Sequence, residues 1–308
     1  MRIALINSGL GLLAAAAALR RMRPDAGLVL AMDPDGMPWG PRRPGDIAAR
    51  SLACARAAAA YRPDVLVFAC NTGSVHALGV LRAEFEPGLP VVGTVPAIKP
   101  AAASGQPIAI WATAATTGSA YQRALIRQFA AGVPVAEVPC PGLADAIHAG
   151  DEARTAAGVA AAAARTPPGA RAVVLGCTEY ELIAGRIGAA LPGAVPFGSA
   201  AAVAAQALRR AAAGRPLDGT SEHGAAPERG AAPERGAVPA GRAAPERGAA
   251  PAAGAGPGEE AAAAGVAGAR PGEVHVLLSG RPGRLPPAAL RYPEGRLLAM
   301  TADGVPVS

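Results

Sequence analysis

The sequence predicts an α/β protein whose parallel β-strands are covered by helices on both faces. Short apolar runs without polar alternation recur along the chain, as expected for strands that are buried on both faces. Longer alanine-rich runs of helical length lie between them, so that strands and helices alternate. With 308 residues, the chain is long enough for two domains or for one large α/β unit.

The predicted strands are apolar segments that end in turn or polar residues. In chain order they are RIALIN (2–7), GLVLAM (27–32), DVLVFAC (64–70), VVGTV (91–95), PIAIWA (107–112), VAEVPC (135–140), AVVLGC (172–177) and EVHVLLSG (273–280). The predicted helices lie between them, at 46–60, 118–131, 151–165 and 179–191. The first strand runs directly into a glycine turn, a pattern that does not fit a secretory signal.

Charge, hydropathy and cysteine content limit the binding partners, the chemistry and the cellular compartment that we expect. The formal net charge of +6 is spread along the chain without a basic run that contains aromatic residues, so we expect no nucleic-acid binding. Since no continuous apolar run reaches 18 residues, we expect no membrane span. The four cysteines, Cys54, Cys70, Cys140 and Cys177, form no C-x-x-C pair that would indicate zinc or thioredoxin-like chemistry. Reduced thiols predict a cytoplasmic protein.

Residues 216–272 differ from the rest of the chain in composition. They contain a repeated Ala-Ala-Pro-Glu-Arg-Gly unit and little besides Ala, Gly, Pro, Glu and Arg. Such a segment cannot bury enough apolar surface to offset the entropy of ordering it. We therefore predict a disordered insertion or linker, after which the strand pattern resumes at 273.

Two cysteines occupy matching positions at the ends of predicted strands. VLVFACNTG (65–73) and AVVLGCTEY (172–180) each consist of an apolar strand, a small residue, a cysteine and then residues that favour the start of a helix. In parallel sheets, ligands bind beyond the carboxyl ends of the strands, where Asn7, Cys70 and Cys177 all lie. A thiol near a helix N-terminus is stabilised as thiolate. Either cysteine alone also fits a small core residue.

Paired thiols suit one reaction class well, the movement of a proton from one face of a carbon to the other. One cysteine, as thiolate, removes the α-proton, and the other, as thiol, protonates the opposite face. A thiol pKa near 8.5 needs only modest adjustment for this task. Asn71, Thr72, Thr178 and backbone N–H groups can supply donors for the substrate carboxylate.

The motifs also resemble those of the aspartate/glutamate racemase superfamily, and of glutamate racemases in particular. The matching segments are NSGLGLL (7–13), MPWGPRRPGDI (37–47), ACNTGS (69–74), ATAATTGSAY (112–121), LGCTEY (175–180) and EVHVLLSG (273–280). This resemblance implies an amino-acid racemase that uses no cofactor and no metal. It also implies a small-molecule amino-acid substrate, and it leaves open whether two copies of the chain form a homodimer.

The resemblance implies two similar α/β lobes with the active site in the cleft between them. The expected organisation is a first lobe at 1–96, completed by 201–215 and 273–285, a second lobe at 97–200, the insertion at 216–272 and a tail at 286–308. Carried over position by position, Cys70 and Cys177 are the two catalytic acid/base residues. The positions expected to contact substrate are Asn7, Ser8, Trp39, Gly40, Asn71, Thr72, Thr178 and Glu179.

Four positions depart from the motifs of the family. Asn7 stands where glutamate racemases carry an aspartate, and it cannot take up a proton. Glu179 replaces the histidine that usually follows the second Cys-Thr pair, while His148 stands where a glutamate is usual. Trp39 replaces a tyrosine, which predicts a smaller or less polar pocket. We expect Glu179 to raise the pKa of a nearby thiol, and His148, if it lies close by, to tune that effect.

Three functions follow as hypotheses. The primary one is interconversion of L- and D-glutamate, which would supply D-glutamate for cell-wall peptidoglycan. The Gly-Cys-Thr-Glu form of the second motif is similar to the aspartate-racemase branch, so aspartate or another amino acid is the second. Asn7 suggests the third, a binding or regulatory protein that has lost catalysis, although the intact cysteine pair speaks against it.

Overall fold

The described part of the chain contains two sheets, each covered by helices. The computed structural model describes residues 1–213 and 271–300. All of the predicted insertion except Pro271 and Gly272 therefore lies outside the described residues, as do residues 301–308. The two sheets, one fully parallel and one parallel except for an edge strand, confirm the predicted α/β class.

The strands of the described residues fall close to their predicted positions. They are β1 (Arg2–Asn7), β2 (Gly27–Met32), β3 (Val65–Phe68), β4 (Val91–Gly93), β5 (Ile108–Ala112), β6 (Val135–Pro139), β7 (Ala172–Leu175), β8 (Val195–Phe197), β9 (Val274–Leu278) and β10 (Arg281–Gly283). The strands β8 and β10 have no counterpart among the predicted strands. Both span only three residues, too short for a periodicity to be detected.

The helices fill the intervals between the strands. They are α1 (Leu12–Met22), α2 (Pro44–Ala59), α3 (Asn71–Phe85), α4 (Ile98–Ala102), α5 (Ala120–Phe129), α6 (Leu143–Ala149), α7 (Glu152–Arg165), α8 (Ala184–Ala190), α9 (Ala200–Ala213) and α10 (Pro293–Leu298). The helix predicted at 179–191 is divided, because a 3-10 helix over Thr178–Ile183 precedes α8. Within the described ranges, no helix is long and apolar enough to cross a membrane.

The first sheet has the strand order β10-β9-β2-β1-β3-β4. Its central strand β1 pairs in parallel with β2 and β3, and Ile3 to Ile6 are fully buried between helices on both faces. The strand β9, which follows the insertion in sequence, pairs in parallel with β2. The chain enters β9 through Gly272, whose N–H donates to Pro24 O and whose carbonyl accepts from Arg20. This anchored glycine lies at the end of the segment that we predicted to be disordered.

The second sheet has the order β6-β5-β7-β8 and is parallel throughout. After β8 the chain returns to the first lobe, where α9 packs against α1. Residues 286–300, which we assigned to a tail, form a 3-10 helix at Pro287–Arg291 and then α10, which packs against α1. Tyr292 Oη also donates to Ile147 O at the end of α6, 2.6 Å away, and so ties this segment to the second lobe.

Candidate active site

A cavity of about 310 Å³ lies where the carboxyl ends of β1 and β3 face those of β5 and β7. All of the predicted site residues except Asn7 line it. Further residues of the cavity wall come from the loops after β2, β5 and β6 and from the start of α6. They are Met37, Pro38, Pro41, Thr113, Ala114, Ala115, Thr116, Cys140, Pro141, Gly142, Ala144 and Asp145. A cavity at strand ends between two sheets is a typical ligand site in α/β proteins.

Cys70 lies at the junction of β3 and α3. It is the N-cap residue of α3, and its Sγ accepts a hydrogen bond from Gly73 N at 3.3 Å. Burial raises the pKa of the Cys70 thiol to about 12, and the negative charge of Glu179 adds to this, whereas N–H groups of Gly73, Ser8 and Thr72 lower it. The thiol is therefore protonated at pH 7, with donors in place to stabilise a thiolate.

Cys177 occupies the corresponding position after β7, in direct contact with a carboxylate. Its Sγ–H donates to Glu179 Oε2 at 3.0 Å, and Thr178 Oγ1 donates to the same oxygen at 3.3 Å. Burial raises the pKa of Cys177 well above its ordinary value, and the charge and hydrogen bond of Glu179 raise it further. Glu179 is therefore placed to take up the proton that Cys177 must lose to become a thiolate.

The two thiols belong to one electrostatic unit. Charge on Cys70 raises the pKa of Cys177, and Glu179 raises the pKa of both. Two neighbouring thiolates repel each other, so at most one of the two cysteines is a thiolate at a time. This is the state that a pair of opposed acid and base requires.

His148 lines the same cavity from α6. Its Nδ1 is buried and has no hydrogen-bond partner among the described residues. Burial lowers the pKa of His148, and the charges of Glu179 and Asp145 oppose this shift without reversing it. The imidazole is therefore neutral at pH 7 and does not compensate the charge of Glu179 there. Its predicted tuning role requires a lower pH and stays a prediction.

Comparison with known proteins identifies one family. The family model Asp/Glu/Hydantoin racemase matches residues 7–208. The chain belongs to this racemase family. It is 37% identical over 188 residues to a glutamate racemase from Roseiflexus sp. (strain RS-1), a match that covers 59% of this chain and 68% of the relative. It is 33% identical over 213 residues to a glutamate racemase from Pseudomonas entomophila (strain L48), covering 68% and 80%.

Solved structures of racemases share the fold. The crystal structure of Escherichia coli glutamate racemase in complex with L-glutamate and the activator UDP-MurNAc-ala matches with a TM-score of 0.65 and 28% identity, covering 72% of this chain and 86% of that chain. Glutamate racemase from Aquifex pyrophilus matches with a TM-score of 0.52 and 27% identity, covering 68% and 83%. Both likenesses confirm the predicted racemase architecture.

Asn7, which replaces the aspartate of the racemase motif, lies behind the cavity wall. It is completely buried. Its Nδ2 donates to Ala69 O and, at 3.1 Å, to Thr178 Oγ1, while its Oδ1 accepts from Gly9 N at 3.2 Å. The side chain thus joins β1 to the residues beside both cysteines. Its place in the structure is that of a support for the motifs. It is not among the residues that line the cavity, and its contact with substrate stays a prediction.

Asn71 crosses the cleft between the two lobes. Its Nδ2 donates to Gly176 O at 2.9 Å, next to Cys177, while its buried Oδ1 finds no hydrogen-bond partner in the described part of the chain. A buried acceptor without a partner costs free energy unless a ligand or water satisfies it. The remaining predicted contacts, Ser8, Gly40, Thr72 and Thr178, are placed on the wall of the cavity.

Trp39 is a buried residue on the wall of the cavity, and its polar atom is bonded within the protein. The indole Nε1 donates to Asp33 Oδ2 at 2.9 Å, and the ring contacts Phe68 edge-on at a centroid distance of 6.0 Å. Asp33 is buried, and its Oδ1 accepts from Ser279 Oγ at 2.9 Å in the turn after β9. Asp33 was not among the predicted site residues. Its signal was an acidic residue directly after the end of a buried strand.

No group of three or more His, Cys, Asp or Glu side chains within residues 1–213 and 271–300 is arranged to hold a metal ion. The charged groups on the wall of the cavity are Asp145 and Glu179, beside the neutral His148. Within the described residues, an anionic substrate group therefore meets hydroxyl, amide and backbone N–H donors instead of lysine or arginine. The acidic groups suit the ammonium group of an amino acid.

Proposed function

We propose that the protein is a cofactor-independent glutamate racemase in which Cys70 and Cys177 exchange the α-proton of the substrate. The observation that carries this proposal is the placement of both thiols on one cavity, each at the end of a strand from a different sheet. Membership of the racemase family supports it independently.

The proposed reaction inverts the configuration at the α-carbon through two proton transfers. The thiolate of one cysteine takes the α-proton and becomes a thiol, while the electron pair of the C–H bond moves into the α-carboxylate. The thiol of the other cysteine then delivers its proton to the opposite face and becomes a thiolate. Hydroxyl and N–H donors of Ser8, Thr72 and the start of α3 stabilise the charge on the carboxylate. Glu179 takes the proton of Cys177 when that residue acts as the base.

Glutamate is the first candidate substrate for two reasons. The relatives above 30% identity are named glutamate racemases, and the Escherichia coli structure was solved with L-glutamate. Aspartate is the second candidate, favoured by Glu179 in the second motif and by Asn7 in the first. The product D-glutamate would serve peptidoglycan synthesis, and we expect the enzyme to act in the cytoplasm, where thiols stay reduced.

Loss of the α-proton signal in D₂O, followed by NMR with L-glutamate and with L-aspartate, tests the proposal. We expect exchange and inversion with glutamate, and loss of inversion in Cys70→Ala and Cys177→Ala. Cys54→Ala is the matched control because Cys54 is buried in the core and is not part of the cavity wall. Folded protein that exchanges neither substrate would contradict racemase activity on both and favour a binding protein instead.

The coupling of Glu179 and His148 can be measured in the same assay. The two side chains are electrostatically linked, because the charge of Glu179 acts to raise the pKa of His148. We expect the pH–rate profiles of Glu179→Gln, His148→Gln and the double variant to be non-additive below neutral pH, where His148 becomes charged. Additive effects would show that the two residues act independently.

A further inference from the structure

The two connections between the lobes pass each other at one point. The first connection leaves β4 at Thr94, and the second leaves β8 and reaches α9 at Ser199. Thr94 Oγ1 donates to Ser199 Oγ at 3.1 Å, and both residues are buried. Any rotation of one lobe against the other must bend the chain close to this contact.

Glu181 joins this crossing point to the catalytic segment. Its Oε1 accepts from Ser199 N and Ser199 Oγ, both at 2.8 Å, and its Oε2 accepts from Ala200 N at 3.0 Å. Glu181 lies in the 3-10 helix Thr178–Ile183, four residues after Cys177. The carboxylate therefore holds the start of α9 and, through Ser199, the first connection as well.

Gly198 leaves the space that this carboxylate occupies. A Cβ at position 198 would overlap with the carboxylate of Glu181 and would lie 3.2 Å from its Cγ. The backbone of Gly198 has an ordinary negative φ, so the need for glycine here is one of space and not of conformation. Glu181 and Gly198 thus form a matched pair.

We infer that Glu181 is a positioning residue that fixes Cys177 relative to Cys70 by tying the segment of the second thiol to both connections between the lobes. This inference rests on the proposed two-thiol function. A 3-10 helix has poor hydrogen-bond geometry of its own and depends on outside contacts for a fixed position. Proton transfer is sensitive to misplacement, since about 1 Å can cost about 100-fold in rate.

The test compares deuterium exchange with inversion for each enantiomer of glutamate in Glu181→Gln. The substitution keeps the size of the side chain but replaces one acceptor by an NH₂ group that opposes a backbone N–H. If Cys177 is displaced, the enantiomer that Cys70 deprotonates is reprotonated by Cys70 after solvent exchange. We expect kcat to fall about 10- to 100-fold and the ratio of exchange to inversion to rise for that enantiomer only.

Gly198→Ala provides an independent perturbation, since it displaces the carboxylate without removing it. We expect the same one-sided rise in Gly198→Ala and no further rise when it is added to Glu181→Gln. Glu152→Gln, which removes an exposed carboxylate in the same lobe, is the control and should behave like wild type. An equal loss for both enantiomers with an unchanged ratio would overturn the inference, and so would wild-type behaviour of Glu181→Gln.

The proposed function and the inference fail in different ways. If the wild-type protein exchanges neither glutamate nor aspartate, the proposed function fails. The inference is then decided by the alkylation rates of the two thiols, measured for each cysteine by mass spectrometry. We expect Glu181→Gln to change the rate at Cys177 more than the rate at Cys70. Equal changes at both thiols would refute positioning by Glu181.

Discussion

Replacing Glu179 by glutamine tests the electrostatic argument most directly. Glutamine keeps the shape of the side chain and an oxygen that can accept from Cys177, but it removes a charge that lies 3.0 Å from the thiol at its nearest atom. With the charge spread over two oxygens, a separation of about 4 Å and a dielectric constant of about 20 give about 4 kcal/mol of repulsion against the thiolate. Its removal increases the ratio of thiolate to thiol roughly a thousandfold at fixed pH.

Two assays on Glu179→Gln should change in opposite directions, since alkylation of the thiols should become easier and racemisation slower. Alkylation by iodoacetamide, quantified at each cysteine against pH, should start at lower pH at Cys177 and, to a smaller extent, at Cys70, whose pKa the same charge also raises. Racemisation should nevertheless fall by about 100-fold or more, because the acceptor for the proton of Cys177 is lost. Glu152→Gln serves as the control in both assays.

The outcomes separate the two roles of the carboxylate. An unchanged alkylation profile at Cys177 would show that Glu179 does not contact the thiol in solution, and the electrostatic argument would be wrong. A shifted profile with undiminished racemisation would keep the contact but remove Glu179 from proton transfer. Only the combination of easier alkylation and slower racemisation agrees with both roles.

Three further substitutions test the surroundings of the site. Asn7→Asp should lower stability in urea by about 1–3 kcal/mol and slow racemisation, because a carboxylate cannot donate to Ala69 O; higher activity at unchanged stability would contradict this. Asp33→Ala in a Trp111→Phe background should shift the emission of the remaining tryptophan and raise KM more than it lowers kcat; an unchanged spectrum would show that the indole is held by other contacts. Burial raises the pKa of Cys54 to about 12, so its contribution to stability falls as pH rises above about 9, by about 1.4 kcal/mol at pH 10. Between pH 8 and pH 10, the free energy of unfolding in urea should therefore fall by that much less in Cys54→Ala than in wild type. Equal losses in the two proteins would refute the effect.

The sheets were predictable because buried parallel strands have a continuous apolar pattern. The strand at EVHVLLSG was predicted from its apolar pattern and the family resemblance, whereas its pairing with β2 across the insertion was not. The 3-10 helix after Cys177 was not predictable, since the Glu-Tyr-Glu sequence of residues 179–181 is compatible with an ordinary helix. Glu181 in this segment contacts Ser199, which lies 18 residues away, and no local sequence pattern predicts such a contact.

The cavity wall was mostly predictable from motifs, whereas side-chain direction was not. Trp39 was expected to reduce the polarity of the pocket, and the structure shows the cause, because Asp33 accepts from its only polar atom. Asn7 was expected to contact substrate because it stands at a contact position of the family motif, and that contact stays a prediction. Its amide donates to the carbonyl of Ala69 and to the hydroxyl of Thr178, both of which tertiary contacts bring to it. Such partners come from elements far apart in sequence.

Three of the departures from the family motifs, at Asn7, Glu179 and His148, share one physical explanation in the structure. Asn7 is neutral and serves as a structural donor, and among the described residues the groups that lower the pKa of Cys70 are backbone N–H groups. Cys177 instead has Glu179 in contact, so the ionisable assistance lies on one side of the cavity. A neutral His148 leaves that charge uncompensated at pH 7. We expect the ammonium group of an incoming amino acid to supply the counter-charge that Glu179 lacks, so that substrate binding itself makes the thiolate easier to form.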